Sequence, residues 1–195
     1  MVPEIFANYF LASAGAGAAL IGLLFVAISL RPEKTLGDEA HPVRSGVATG
    51  AFIALTNAFF VSMSALIPLA NVGDFVVAIG VADVVMTLFL ARKIVLGILR
   101  PLGVTLPALA STRILATLVI SASLYAYEAF IGLGMAQHAR NPGYAFALSE
   151  ILLGVYAIGL LRAWELLGGS GGFVARLLNP LRDAGAAEDA RSPEK

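Results

Sequence analysis

The sequence predicts an all-α integral membrane protein: a bundle of five transmembrane helices, N-terminus out and C-terminus in. Three observations predict it. The 195 residues are 58% hydrophobic and 13% charged, with mean hydropathy +0.85. That is about half the charged share of a soluble domain, too little to cover a globular surface in water. Five apolar stretches, roughly 4–30, 44–70, 75–97, 112–137 and 143–167, each exceed the ~20 residues that cross a bilayer core. Finally, Lys and Arg alternate by connection, twelve on one side and Arg140 alone on the other, which the positive-inside rule reads as five crossings ending in the cytoplasm.

The first stretch carries "ASAGAGAALIG" at 12–22. A dinucleotide loop would need a preceding strand and a glycine where Leu20 stands. A signal peptide would need a basic segment first, and no Lys or Arg precedes Arg31. Helix packing remains. Ala14, Ala18 and Gly22 recur every four residues beside Gly15 and Ala19, the spacing at which two backbones approach closely in lipid. The partner is left open, a helix of this chain or of a second copy. Arg31-Pro32 closes the stretch.

Pro42 is placed to open the second stretch at the first helical position. A further stripe follows there: Gly46, Gly50, Ala54, Asn57, Val61 and Ser64. Pro68 and Asn71-Val72-Gly73 end it, Asp74 is placed to cap the third helix, and Asn141 to cap the fifth. The segment 97–112, interrupted by two prolines, is expected on the cytoplasmic membrane surface or between helices. The helices form one domain over 1–170, followed by a cytoplasmic tail, 171–195, that is partly disordered.

At "FANYFLASAGAGAALIGLLFVAISLRPEK" the chain resembles a group of small multi-spanning bacterial membrane proteins whose first helix reads ATAGA-x-AAL-x-GLLFVA-x-S. The resemblance covers mainly this helix. It implies a multi-pass protein of the bacterial inner membrane and brings no activity or site residue with it.

Three acids fall inside the predicted spans: Asp83, Glu128 and Glu150. A carboxylate in hydrocarbon costs at least ~2.5 kcal/mol on insertion scales, so such residues face the interior and often function there. At ~1.5 Å per residue all three lie in the outer half of the membrane, ~9–13 Å below the outer helix ends. No Lys or Arg is expected at that depth. On the fourth helix Arg113, Thr117, Ser121, Tyr125 and Glu128 share ~120° of the wheel, a polar stripe leading to the acid. It either lines a wet path or supplies hydrogen bonds between and within helices. Arg162 and Glu165, three apart, read as a local ion pair. Trp164, Tyr144, Tyr9 and Phe10 read as interfacial anchors.

His41 and His138 fall on opposite sides, and no hydrolase or metalloprotease motif occurs. Without cysteine there is no thiolate site, and a net charge of zero gives no basis for nucleic-acid binding. The expectation is therefore a non-enzymatic protein without metal or cofactor. It would act as a small oligomeric pore or carrier for an ion, proton or small solute, with Asp83, Glu128, Glu150 and Tyr125 as its interacting groups. The alternative is a non-transporting accessory subunit that binds other membrane proteins.

Overall fold

The computed structural model describes residues 3–30, 42–67, 71–99, 108–138 and 141–166. After a single 3-10 turn, Glu4–Phe6, five helices follow: α1 Ala7–Ser29, α2 Pro42–Leu66, α3 Val72–Leu99, α4 Ala108–Gln137 and α5 Pro142–Leu166. The described residues hold no strand. All five helices are long and apolar enough to cross a membrane. The C-terminal tail, the Gly/Ser stretch before it and His41 lie outside the described residues.

The helix starts follow local chemistry. Pro42 opens α2, where its missing N–H removes a donor that would have no partner in the helix. Asn141 caps α5, its Oδ1 accepting from Gly143 N at 2.9 Å. Asp74 does not cap α3. It stands third in the helix, and its Oδ2 accepts from Asn71 Nδ2 at 2.7 Å, so Asn71 occupies the position before the helix. The 97–112 segment is also shorter than expected as a connection: α3 runs to Leu99 and α4 begins at Ala108.

α2, α3, α4 and α5 form a closed ring of neighbours, and α1 packs on the outside of α2. Where the interior is tight, the residues are small. Every member of the α2 stripe, from Gly46 to Ser64, is buried. A Cβ on Gly46 would stand 2.6 Å from Ile94 Cδ1, and one on Gly50 would overlap the Arg162 guanidinium. The closest backbone approach joins α3 to α4. A Cβ on Gly80 would lie 2.9 Å from Tyr125 O, and one on Gly132 would lie 2.8 Å from Val77 N. The large side chains turn outward instead: Leu23, Phe25, Phe60, Leu88, Phe89, Phe130 and Leu161 are all exposed. In lipid an outward Phe loses nothing, so close packing decides which residues go inside.

On α1 the expected packing face divides between the interior of the chain and its outer surface. Its buried residues are Phe10, Ser13, Ala14, Gly17 and Leu24. Ala14 packs inward as anticipated, but the rest of the stripe does not pack within the chain. Gly15, Ala18 and Gly22 are exposed, and nothing lies within 4 Å of a Cβ built on Gly15 or Gly22. The close approach is made by Gly17, whose Cβ would lie 2.9 Å from Tyr156 Oη and 3.1 Å from Phe59 Cβ. Polar contacts select this face. Ser13 Oγ meets Ser62 Oγ at 2.6 Å, the Tyr156 hydroxyl donates to Ser13 O, and Tyr9 Oη donates to Ser149 O at 2.7 Å. Tyr9 is therefore a tether between α1 and α5, and Phe10 is fully buried. Of the four expected anchors, Phe10 belongs to the core, Tyr9 and Tyr144 are partly buried against it, and Trp164 is exposed.

Candidate functional site

Inside the ring, a single amide joins two acids. Asn57 on α2 donates through Nδ2 to Asp83 Oδ2 on α3 at 2.7 Å. The same nitrogen lies 2.9 Å and 3.1 Å from the two carboxylate oxygens of Glu128 on α4. Asn57 and Glu128 are fully buried, and Asp83 is half-buried. At ~1.5 Å per residue, Asn57 and Glu128 lie ~14 Å from the connected ends of α2 and α4, and Asp83 ~17 Å from the start of α3. In a hydrocarbon core ~30 Å thick the three meet close to the midplane; Glu128 lies where the sequence places it, and Asp83 lies deeper.

A cation lies below them. Arg162, expected to pair with Glu165, points into the ring. Its Nη2 donates to Ser121 Oγ on α4 at 2.9 Å, and its guanidinium fills the space left by Gly50 on α2. Glu165 stays exposed and acts on it through space. The electrostatic partners of Arg162 are Tyr125 and Glu165 rather than the two acids. Arg162 also belongs to the interior and leaves the count of loop charges. The Tyr125 hydroxyl stands between the two levels, within electrostatic reach of Asp83, Glu128 and Arg162. The result is a polar column through an apolar bundle: Asp83, Asn57 and Glu128 at the midplane, then Tyr125, then Arg162 with Ser121.

The α4 stripe is inward-facing at Ser121, Tyr125 and Glu128, while Thr117 is exposed. Of Arg113 only the helical backbone is described. Ser121 Oγ donates to Thr117 O at 2.8 Å, so its hydroxyl proton serves its own helix and its oxygen serves Arg162. Glu150 does not join the site: it is exposed on α5. His138 is likewise exposed, its ring stacked on Tyr144 at 6.1 Å.

Sequence reasoning missed two members. Asn57 was placed on a packing stripe and given no chemical role, although it is an amide in the middle of a span, at a depth matching two acids. Arg162 was assigned to its nearest acid in sequence. Its spacing from Val155, Gly159 and Leu166, all buried on α5, marks it as a core-facing position.

Two features at the site have no protein partner among the described residues. Asn57 Oδ1 and Tyr125 Oη are buried side-chain atoms without a hydrogen bond. Both sit on residues that already border the acids.

No protein-family model matches the chain, nor does any curated protein or solved structure. The fold and the buried column define a multi-pass helical membrane protein.

Proposed function

We propose that this protein is a small ion or proton carrier of the bacterial inner membrane, with Asp83, Asn57 and Glu128 as its binding site. The observation that supports this reading is the sharing of one buried amide nitrogen by two carboxylates near the midplane. Ionisable groups at that depth are costly to bury and commonly mark ion or proton paths. The ring closes around Glu128 on all sides, so the reading favours an occluded carrier site over an open pore. The test is flux in proteoliposomes. Glu128→Gln preserves the shape and removes the charge, and is expected to abolish cation or proton flux while the protein remains folded. Wild-type protein that passes neither protons nor monovalent cations under an imposed gradient would sink the carrier reading.

The accessory-subunit reading draws on a different observation. The Arg162 guanidinium, Ser121 and Gly50 interlock three helices, and polar contacts of this kind also serve as plain interhelical glue. On that reading Glu128→Gln is neutral or slightly stabilising. Self-association belongs to the proposal as well, with the exposed Gly15, Ala18 and Gly22 face of α1 available to a second copy.

The proposed orientation is N-terminus out and C-terminus in. With Arg162 withdrawn into the bundle, every other Lys and Arg except Arg140 still falls on the proposed cytoplasmic side. Cysteine-free, the chain suits single-cysteine labelling. A cysteine at Val72 should react with an impermeant reagent from outside intact cells, and one at Ala190 should not. The reverse pattern would invert the topology.

A further inference from the structure

The Asn57 amide uses only one of its two ends. Its Nδ2 serves Asp83 at 2.7 Å and Glu128 at 2.9 Å and 3.1 Å. Its Oδ1 is buried and accepts no hydrogen bond. Buried polar atoms in native proteins are bonded in the great majority of cases, so this acceptor calls for a donor. The side chain is 2% exposed, and its head already lies against both acids. A primary amide carries two N–H bonds and a carbonyl in one plane, with one N–H on the carbonyl's side and the other turned away. An ionised carboxylate has acceptors alone, so it takes the N–H and leaves the carbonyl unanswered. A carboxylic acid has an O–H as well. Set against the amide, it donates O–H to Oδ1 and accepts the near N–H, closing a ring of two hydrogen bonds. The far N–H stays with the other acid.

Glu128 is the acid that fits this pairing. It has no exposed surface and presents both oxygens to the amide, whereas Asp83 is half-buried and presents only Oδ2. Two carboxylates that meet one nitrogen repel each other when both are ionised in a low-dielectric interior, and a proton on one removes that repulsion. An alkali cation fits less well. It needs oxygens on several sides, and the point where these two acids converge is held by an N–H donor. Among the described residues no group of three His, Cys, Asp or Glu comes together. The helices that carry the acids are also tightly packed, with a Cβ on Gly80 meeting Tyr125 O at 2.9 Å and Ala129 N at 3.0 Å. The other ionisable groups near the pair are Tyr125 on α4 and, beyond it, Arg162 on α5, whose electrostatic partners are Tyr125 and Glu165. α1 lies outside the ring.

We infer that the ligand of this site is a single proton, held on Glu128 as a carboxylic acid that pairs with both ends of the Asn57 amide, while Asp83 remains the carboxylate on the second N–H. This rests on the carrier reading and names its ligand. Loading forms one O–H bond on Glu128 from a solvent proton. Release breaks that bond and returns the proton to water.

The experiment is infrared spectroscopy of the purified full chain in lipid nanodiscs. Near neutral pH the wild type should show the carbonyl stretch of a carboxylic acid, and the band should shift down in deuterium oxide. It should disappear at alkaline pH along a one-proton titration, and replacing choline chloride with sodium chloride should leave it unchanged. Glu128→Gln should remove the band. Asp83→Asn should keep it, so the assignment can be read even if the Gln variant does not fold. Asn57→Leu should raise its frequency, because the acid loses its amide partner. Absence of the band from the wild type, its loss in Asp83→Asn, its removal by sodium, or an unchanged frequency in Asn57→Leu would overturn the inference. Flux of sodium or potassium through a protein without the band would overturn it and leave the carrier reading standing. A band that behaves as expected in a protein that passes no ion would retire the carrier reading and leave the proton on Glu128.

Discussion

Arg162→Met is expected to destabilise the bundle by about 1–3 kcal/mol, the usual effect of leaving a buried polar group without its charged hydrogen-bond partner. The guanidinium is buried, donates to Ser121 and occupies the space over Gly50. Methionine fills part of that volume but carries neither charge nor donor. Ser121 also loses a donor. Unfolding in a mixed-detergent titration would measure the effect. Wild-type stability for Arg162→Met would show that the guanidinium lies in the headgroup region.

Gly132→Leu is expected to disrupt the bundle to a similar degree, for a steric reason. A Cβ at this position meets Val77 N at 2.8 Å and Gly73 O at 3.0 Å, both backbone atoms of α3. Backbone cannot rotate away as a side chain can, so α3 and α4 must separate. That separation would also displace Asp83 from Asn57, since Gly80 and Tyr125 lie along the same contact. Overpacking costs about 1–3 kcal/mol where side chains can yield, and occasionally more. Gly22→Leu is the control: nothing lies within 4 Å of its Cβ, so in an isolated chain it should be neutral. Thermal unfolding and size-exclusion profiles of the two variants would separate these outcomes. If Gly22→Leu shifted the oligomer size and left the unfolding temperature of the monomer unchanged, the exposed α1 face would be an interface between copies.

The sequence by itself determined the class of the protein. Five spans, their order and most of their ends could be read because a bilayer imposes a length of apolar chain. Proline at position 42 and the asparagine cap at 141 are local chemistry. The α2 stripe was also legible, since small residues every three to four positions have few other uses in lipid. The α1 stripe divides: Ala14 packs within the chain, and Gly15, Ala18 and Gly22 do not. Gly15, Ala18 and Gly22 are as small as Ala14 and Gly17, and periodicity alone cannot choose between adjacent faces of a helix rich in Ala and Gly. The choice came from Ser13 meeting Ser62 and Tyr156, pairs 49 and 143 residues apart.

The candidate site divides in the same way. Asp83 and Glu128 stood out because an acid in hydrocarbon is costly wherever the chain folds. Glu150 stood out equally, yet it is exposed: it turns outward on α5 while its neighbours Ser149 and Ile151 are buried. Only the tertiary structure decided that Asn57 would join the two acids, because it lies 26 residues from one and 71 from the other. Only the tertiary structure placed Arg162 against Gly50, overriding a nearby acid in sequence. Hydropathy fixes depth in the membrane, and depth is a property of each helix alone. Which polar groups share that depth on facing sides depends on how the helices rotate against one another, and that rotation is set by close packing between segments distant in the chain.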